Sequence, residues 1–333
     1  MPAMSETPAT DARREALYAW LMAVQPGSGR GGGLRTLAAD ASFRRYFRWQ
    51  AGTGSYVAMD APPEREGLER FVDVAARLRS AGLHAPEIHA WERERGFLLL
   101  EDLGDRLYRD VLDGDTVETL FSAAFDVLEC FASRVDCDGL PDYDRDLLGA
   151  ELELFPDWYL QHECGRAMTA RERSSWCELC ELLLESAQQQ PQIFVHRDFH
   201  ACNLLLTEHN PPGIIDFQDA VRGPVTYDLV SLLLDRDITW PRQRLEEWME
   251  ACRQRLAPGI EPAEWQRCCD WMGLQRNLKI LGIFCRLNHR DGKPAYMELL
   301  PRFRGYVLDT LRRYRELDRY RAWLEPLLLV CER

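Results

Sequence analysis

The chain has 333 residues, 46% hydrophobic and 29% charged, with a formal net charge of −13; its length exceeds one ordinary domain and leaves room for two lobes with a substantial core. That negative charge, with no basic aromatic stripe to offset it, argues against a nucleic-acid partner and for a small-molecule substrate. Leu327-Leu328-Leu329-Val330 is too short an apolar run to span a bilayer, and residues 1–11 lack a basic and then apolar leader, so a cytoplasmic protein without membrane contact is expected. Eleven cysteines without framework spacing read as reduced, buried thiols, and the pair Cys177 and Cys180 lies in a helical pattern.

In chain order, a helix is expected over residues 12–24. The run Pro26-Gly27-Ser28-Gly29-Arg30-Gly31-Gly32-Gly33 contains G-x-G-x-x-G, yet a strand pattern follows it instead of preceding it. It reads as a linker and not as a dinucleotide fingerprint. Strand patterns cover 34–39, 43–50 and 56–60 and fit antiparallel hairpins. Pro62-Pro63 opens a helix whose Leu68, Phe71, Val72, Ala75 and Leu78 fall at helical spacing, closed by Ser80-Ala81-Gly82. Strands at 87–91 and 97–101 lead to Asp102-Leu103-Gly104-Asp105, which reads as an interlobe hinge. Patterns from 108 to 190 are mainly helical, interrupted by the aromatic-rich segment 154–159, and helices fill the chain after 230. The expected organisation is an N-terminal helix and linker over 1–33, a small sheet lobe over 34–104 and a mainly helical lobe over 105–333.

Two strand pairs carry the chemistry. Ile193-Phe194-Val195 feeds His196-Arg197-Asp198-Phe199-His200-Ala201-Cys202-Asn203, Leu204-Leu205-Leu206 leaves it, and a turn at 208–213 brings Ile214-Ile215 to Asp216, thirteen residues after Asn203. Two carboxylates and an amide at these places suit a reaction that needs an oriented hydroxyl and a hard divalent cation on phosphates. Cys202 sits inside this loop, where alkylation is expected to cost activity.

The loop and the following Asp216-Phe217-Gln218 resemble the H-R-D-x-x-x-x-N and D-F-G segments of protein-kinase-like phosphotransferases. Together with the small sheet, hinge and helical lobe, the chain resembles the aminoglycoside phosphotransferase and choline kinase branch of that fold, an α+β bilobal class, over nearly its whole length. More narrowly, Asp40-Ala41-Ser42-Phe43-Arg44-Arg45-Tyr46-Phe47-Arg48, Met59-Asp60-Ala61-Pro62-Pro63, Asp216-Phe217-Gln218-Asp219-Ala220, Gly223-Pro224, Tyr227-Asp228-Leu229 and Gly273-Leu274-Gln275-Arg276-Asn277-Leu278-Lys279 resemble the AmgK family of anomeric sugar kinases. The resemblance implies ATP-dependent phosphorylation of the C1 hydroxyl of N-acetylmuramic acid and N-acetylglucosamine in cell-wall recycling. The α-1-phosphate product is then taken by a uridylyltransferase.

It also implies roles for residues. Asp198 orients the acceptor hydroxyl, Asn203 and Asp216 hold Mg²⁺, and His196, Arg197 and Asp228 support the loop, Asp228 by accepting backbone hydrogen bonds. Val57-Ala58-Met59-Asp60 departs from the kinase V-A-I-K in having no lysine, so Arg44 and Arg48, on one face of their strand, are expected to neutralise the phosphates. Ser42 and the backbone of Phe43 cap the phosphates, and adenine meets backbone groups of Glu101 and Leu103. For the sugar, Gln275, Arg276, Lys279 and Arg286 form a polar stripe on a helix over 264–288, suited to a lactyl carboxylate. Gln218, Asp219 and Trp158 are further sugar contacts. The alternatives are a kinase of the same fold acting on an aminoglycoside or choline, and a non-catalytic nucleotide-binding regulator.

Overall fold

A computed structural model describes residues 8–24, 33–37, 44–52, 54–65 and 67–330. In chain order, helix α1 (Pro8–Val24) precedes strands β1 (Arg35–Thr36), β2 (Arg45–Ala51) and β3 (Gly54–Asp60), helix α2 (Glu69–Ser80), and strands β4 (Ile88–Glu92) and β5 (Phe97–Glu101). Helices α3 (Val117–Ser133), α4 (Arg145–Leu152) and α5 (Ala170–Gln188) follow, with a π-helical segment over Phe155–Glu163. Strands β6 (Gln192–Val195), β7 (Leu204–Leu205), β8 (Gly213–Ile214) and β9 (Val221–Pro224) lead into α6 (Tyr227–Leu233), α7 (Arg242–Leu256), α8 (Pro262–His289), α9 (Leu300–Arg313) and α10 (Asp318–Val330). This is the α+β class expected from the pattern.

Two compact units emerge: Met1–Leu107 with Leu204–Gln218, and Tyr108–Asn203 with Asp219–Arg333. The segment 204–218, expected within the helical lobe, therefore groups with the N-terminal residues. Backbone pairing accounts for this. Leu206 donates to the Arg106 carbonyl and Ile214 to the His84 carbonyl, both at 2.8 Å, and the rings of Phe217 and Phe71 lie 4.8 Å apart.

In the first unit the five strands run antiparallel in the order β1-β2-β3-β5-β4. Alternation divides the sheet into two faces. One carries Phe47, Trp49, Ala58, Phe97 and Leu99 and is covered by Leu17, Trp20 and Leu21 of α1. At the end of β3 the same face turns Asp60, fully buried, toward Arg13 of α1 and Arg45 of β2, whose Nε atoms donate to its carboxylate at 2.9 and 3.0 Å. Asp60, which stands where V-A-I-K has its lysine, is thus a buried anion with two arginines on it. By the strand register, Tyr46, Arg48, Val57, Met59, Leu98 and Leu100 share the opposite face.

In the second unit α8 is the axis. Every residue from Cys268 to Gly282 is buried, because α4, α5, α6, α7, α9 and the π-helical segment all pack against it. Gly282 permits the last contact: a Cβ there would stand 2.3 Å from the Leu154 carbonyl carbon and oxygen, so any side chain would collide with backbone.

Candidate active site

Strand β6, paired antiparallel with β9, delivers the chain to the loop 196–203. The loop is pinned from α6 and the turn that follows it. Asp228 accepts the backbone N–H groups of His196 at 2.6 Å and Arg197 at 3.0 Å, and Asp235 accepts that of Ala201 at 3.0 Å. These anchors fix Arg197 in the left-handed region at φ 77°, a costly conformation for a long side chain that persists where its surroundings over-determine it. Burial pushes the Asp228 carboxyl up to about 7, against the pull of the two backbone donors. Inside the loop, Asp198 N–H donates to His196 Nδ1 at 3.3 Å, and Asn203 Nδ2 donates to the Asp198 carbonyl at 2.9 Å.

The Asp198 side chain, reachable by solvent, lines a cavity of about 180 Å³ with His200, Tyr227, Asp235, Arg236, Arg276 and Lys279 on its polar side. Ile280, Ile283, Phe284, Leu287, Tyr296 and Phe303 form the remaining walls. Loss of hydration works to raise the Asp198 carboxyl, but Lys279, His200, His196 and Arg276 outweigh it and hold it below the usual carboxylate range. Behind the cavity sits a buried ionic knot. Glu151 of α4 pairs with Lys279 Nζ at 2.9 Å and Arg197 Nη2 at 2.5 Å and accepts a hydrogen bond from the Tyr143 hydroxyl; Lys279 Nζ also lies 3.1 Å from the Tyr227 hydroxyl. Burial opposes ionisation of Glu151, yet Lys279 and Arg197 keep its carboxyl below the usual range.

The expected sugar-binding stripe is thus divided. Arg276 and Lys279 face the cavity. Gln275, about 100° round the helix from Arg276, is fully buried and directs Nε2 toward the Leu148 carbonyl at 3.5 Å. Arg286 does not line the cavity, and burial together with Arg290 lowers its guanidinium. Trp158 is half-buried and stacks on His162, with centroids 4.7 Å apart, instead of facing the cavity. Asp219 is exposed. Gln218 donates from Nε2 to Asp216 Oδ1 at 2.8 Å, which makes it a holder of that carboxylate; Asp216 itself takes φ 63°. The sequence reading missed Glu151, Tyr227, Asp235 and Arg236. None of these four carried a local signal, Asp235 included, since it lies beyond the end of α6.

Cys202 is buried with Arg236 Nη2 at 2.8 Å and Asp237 at 3.2 Å from its sulfur, and burial pushes the thiol up to about 11. The expected sensitivity to alkylation is corrected on that ground, because a thiol so poorly ionised is a poor nucleophile.

In the first unit, Ser42 and Phe43 lie outside the described residues. Arg44 is buried. Arg48, expected at the phosphates, is engaged elsewhere: Nε and Nη2 meet both Asp102 oxygens at 2.6 and 2.8 Å, and Nη1 meets Asp105 at 2.5 Å. Its charge is spent bracing the segment 102–105. Glu101 donates its backbone N–H to the Glu87 carbonyl at 2.8 Å, and its carboxylate accepts from the Glu87 N–H at 3.1 Å and meets His84 Nε2 at 3.1 Å, so adenine could use only its carbonyl. Glu101 and Leu103 also border an open groove of about 1050 Å³ with Arg79, His84 and Asn210. That groove contains nothing from the sheet face of Tyr46, Arg48 and Met59. Among the described residues, no three His, Cys, Asp or Glu gather where they would hold a metal ion, and no helix is long and apolar enough to cross a membrane.

Residues 33–271 match the family model described as a phosphotransferase enzyme family, APH. The chain is similar to proteins named N-acetylmuramate/N-acetylglucosamine kinase. It is 46% identical over 292 residues to that of Pseudomonas putida, covering 86% of each chain, and 45% identical over 323 residues to that of Pseudomonas aeruginosa, covering 92% of this chain and 94% of the relative. Among solved structures it resembles ADP-bound aminoglycoside phosphotransferase APH(2'')-Ib, at TM-score 0.58 and 17% identity, over 88% of this chain and 96% of that one. The gentamicin complex of APH(2'')-IIa gives TM-score 0.59 and 16% identity, over 90% and 97%. These likenesses show the fold.

Proposed function

The chain belongs to the phosphotransferase enzyme family, in the branch of proteins named N-acetylmuramate/N-acetylglucosamine kinase, and from that premise we propose that it phosphorylates the anomeric C1 hydroxyl of N-acetylmuramic acid and N-acetylglucosamine with ATP. It acts in the cytoplasm during peptidoglycan recycling, and a uridylyltransferase consumes its α-1-phosphate product.

The observation that carries the reading is Asp198, an ionised carboxylate on the wall of a cavity whose other polar lining is His200, Tyr227, Asp235, Arg236, Arg276 and Lys279. An anomeric hydroxyl is more acidic than an ordinary alcohol. Asp198 therefore mostly orients the oxygen for in-line attack and accepts its proton as the bond to phosphorus forms. Among the cavity's charged groups Arg236, Arg276 and Lys279 outnumber Asp198 and Asp235, which disfavours a polycationic aminoglycoside.

Asn203 and Asp216 are the proposed Mg²⁺ ligands. Asn203 spends its amide N–H on the Asp198 carbonyl and so keeps the amide oxygen for a cation, while Asp216 brings a carboxylate steadied by Gln218. Both are hard oxygen donors, which Mg²⁺ takes. Bound there, the cation would neutralise charge on the phosphates. Arg44, just before β2, is a proposed cation toward the triphosphate, while Arg48 is engaged by Asp102 and Asp105.

ADP release measured with N-acetylmuramate, N-acetylglucosamine, kanamycin and choline tests the proposal. Turnover is expected with the two sugars alone, and Asp198→Asn is expected to lower kcat by about 10²- to 10⁴-fold. Turnover of kanamycin alone would overturn the acceptor assignment, and wild-type protein that binds nucleotide without turnover of any acceptor would make the chain a regulator.

A further inference from the structure

We infer that Arg276 reads the lactyl carboxylate of the acceptor and thereby sets the preference for N-acetylmuramate over N-acetylglucosamine. The inference rests on the acceptor proposed above and deepens it. Arg276 is only 6% exposed, yet no carboxylate among the described residues is ion-paired with it. Its hydrogen bond, from Nη1 to the Leu234 carbonyl, is long at 3.4 Å. The other cations of the cavity are better provided for: Lys279 has Glu151 at 2.9 Å, and Arg236 has the Cys202 sulfur at 2.8 Å and Asp237 at 3.8 Å.

A buried guanidinium with one weak partner is costly to keep, and an arriving anion removes that cost. Its planar fork matches a carboxylate through two parallel N–H donors. Asp198 lines the same cavity, so an acceptor with its reacting hydroxyl at Asp198 presents the rest of its ring to Arg276. The apolar wall of Ile280, Ile283, Phe284 and Phe303 suits the methyl groups of a lactyl ether and an N-acetyl group. N-acetylglucosamine carries the same ring without the lactyl ether and leaves the guanidinium as it was.

The two sugars therefore form their own control. Steady-state kinetics on both, for wild type, Arg276→Met and Arg276→Lys, are compared alongside thermal denaturation. Arg276→Met loses its pull on Asp198 with either sugar, so a loss is expected on both, but the loss in kcat/KM on N-acetylmuramate is expected to exceed that on N-acetylglucosamine by about 30-fold or more, mostly through KM. Its Tm is expected to stay close to that of wild type, because the substitution removes one long hydrogen bond and breaks no ion pair among the described residues. Arg276→Lys keeps the charge without the fork and is expected to fall between; it also carries the comparison should the methionine variant fold poorly. Equal losses on the two sugars would assign Arg276 to the phosphoryl group or to the fold and overturn the inference, as would unchanged kinetics on N-acetylmuramate. Wild-type protein that turned over neither sugar would sink the acceptor proposal itself.

Discussion

Arg48 is held by two carboxylates, and its removal would leave Asp102, 6% exposed, without a counter-charge. Arg48→Ala is expected to cost about 3 kcal/mol in chemical denaturation, the usual penalty for breaking a largely buried pair. The pH dependence follows from Asp102. Burial raises its carboxyl, but Arg48, Ser55 and the Gly104 N–H bring it below its ordinary 3.8. A depressed native value means that the stabilisation is complete above the unfolded value and is lost as pH falls through the native one. The stability gap between wild type and Arg48→Ala is therefore expected to stay level down to about pH 5 and to narrow below about pH 4. Cys202 gives a second test at this scale. With its thiol pushed up to about 11 and Cys177 exposed on α5, brief iodoacetamide treatment is expected to label Cys177 before Cys202 and to spare activity, as read by peptide mass spectrometry. The chain path around Asp198, Asn203 and Asp216 was legible, because β6, β7 and β8 fall where the apolar runs and turn residues put them. The partners of Arg48 were not, since Asp102 and Asp105 lie more than fifty residues away and a strand pattern says only which face an arginine is on.

At the scale of elements, α6 and α8 do most of the positioning. Asp228 on α6 and Asp235, two residues past its end, anchor two points of the loop, while α8 presents Arg276 and Lys279 and accepts the π-helical segment at Gly282. Gly282→Ala would drive a methyl into the Leu154 backbone. Overpacking of this kind is expected to cost about 1–3 kcal/mol, visible as a lowered Tm. The strands of the sheet were legible from alternation and turn residues, and β2, β3 and β5 lie close to their expected bounds. The face of α8 was not legible. A helical wheel presumes one wet side, whereas a helix enclosed on all sides buries its polar residues in different directions, Gln275 toward α4 and Arg276 toward the cavity.

For the whole chain, the sequence order of lobes was a poor guide to the grouping of residues. The hairpin 204–218 looked like part of the helical lobe because helices flank it, yet its edge hydrogen bonds go to residues 84 and 106. Backbone donors seek any free partner, and a linear pattern does not record which one they find. Helix α1 was equally easy to underrate, read only as a short helix followed by a glycine-rich linker. It lays Leu17, Trp20 and Leu21 on the sheet and Arg13 on Asp60. Protein cut after Val24 would present Phe47, Trp49, Phe97 and Leu99 bare to water, with Asp60 keeping Arg45 alone. Such a shortened chain is expected to bind hydrophobic dyes and to stick to its own copies in light scattering, so the foremost seventeen-residue helix behaves as a lid glued to the back of the sheet, and tags or trims at that end carry a solubility penalty unrelated to catalysis.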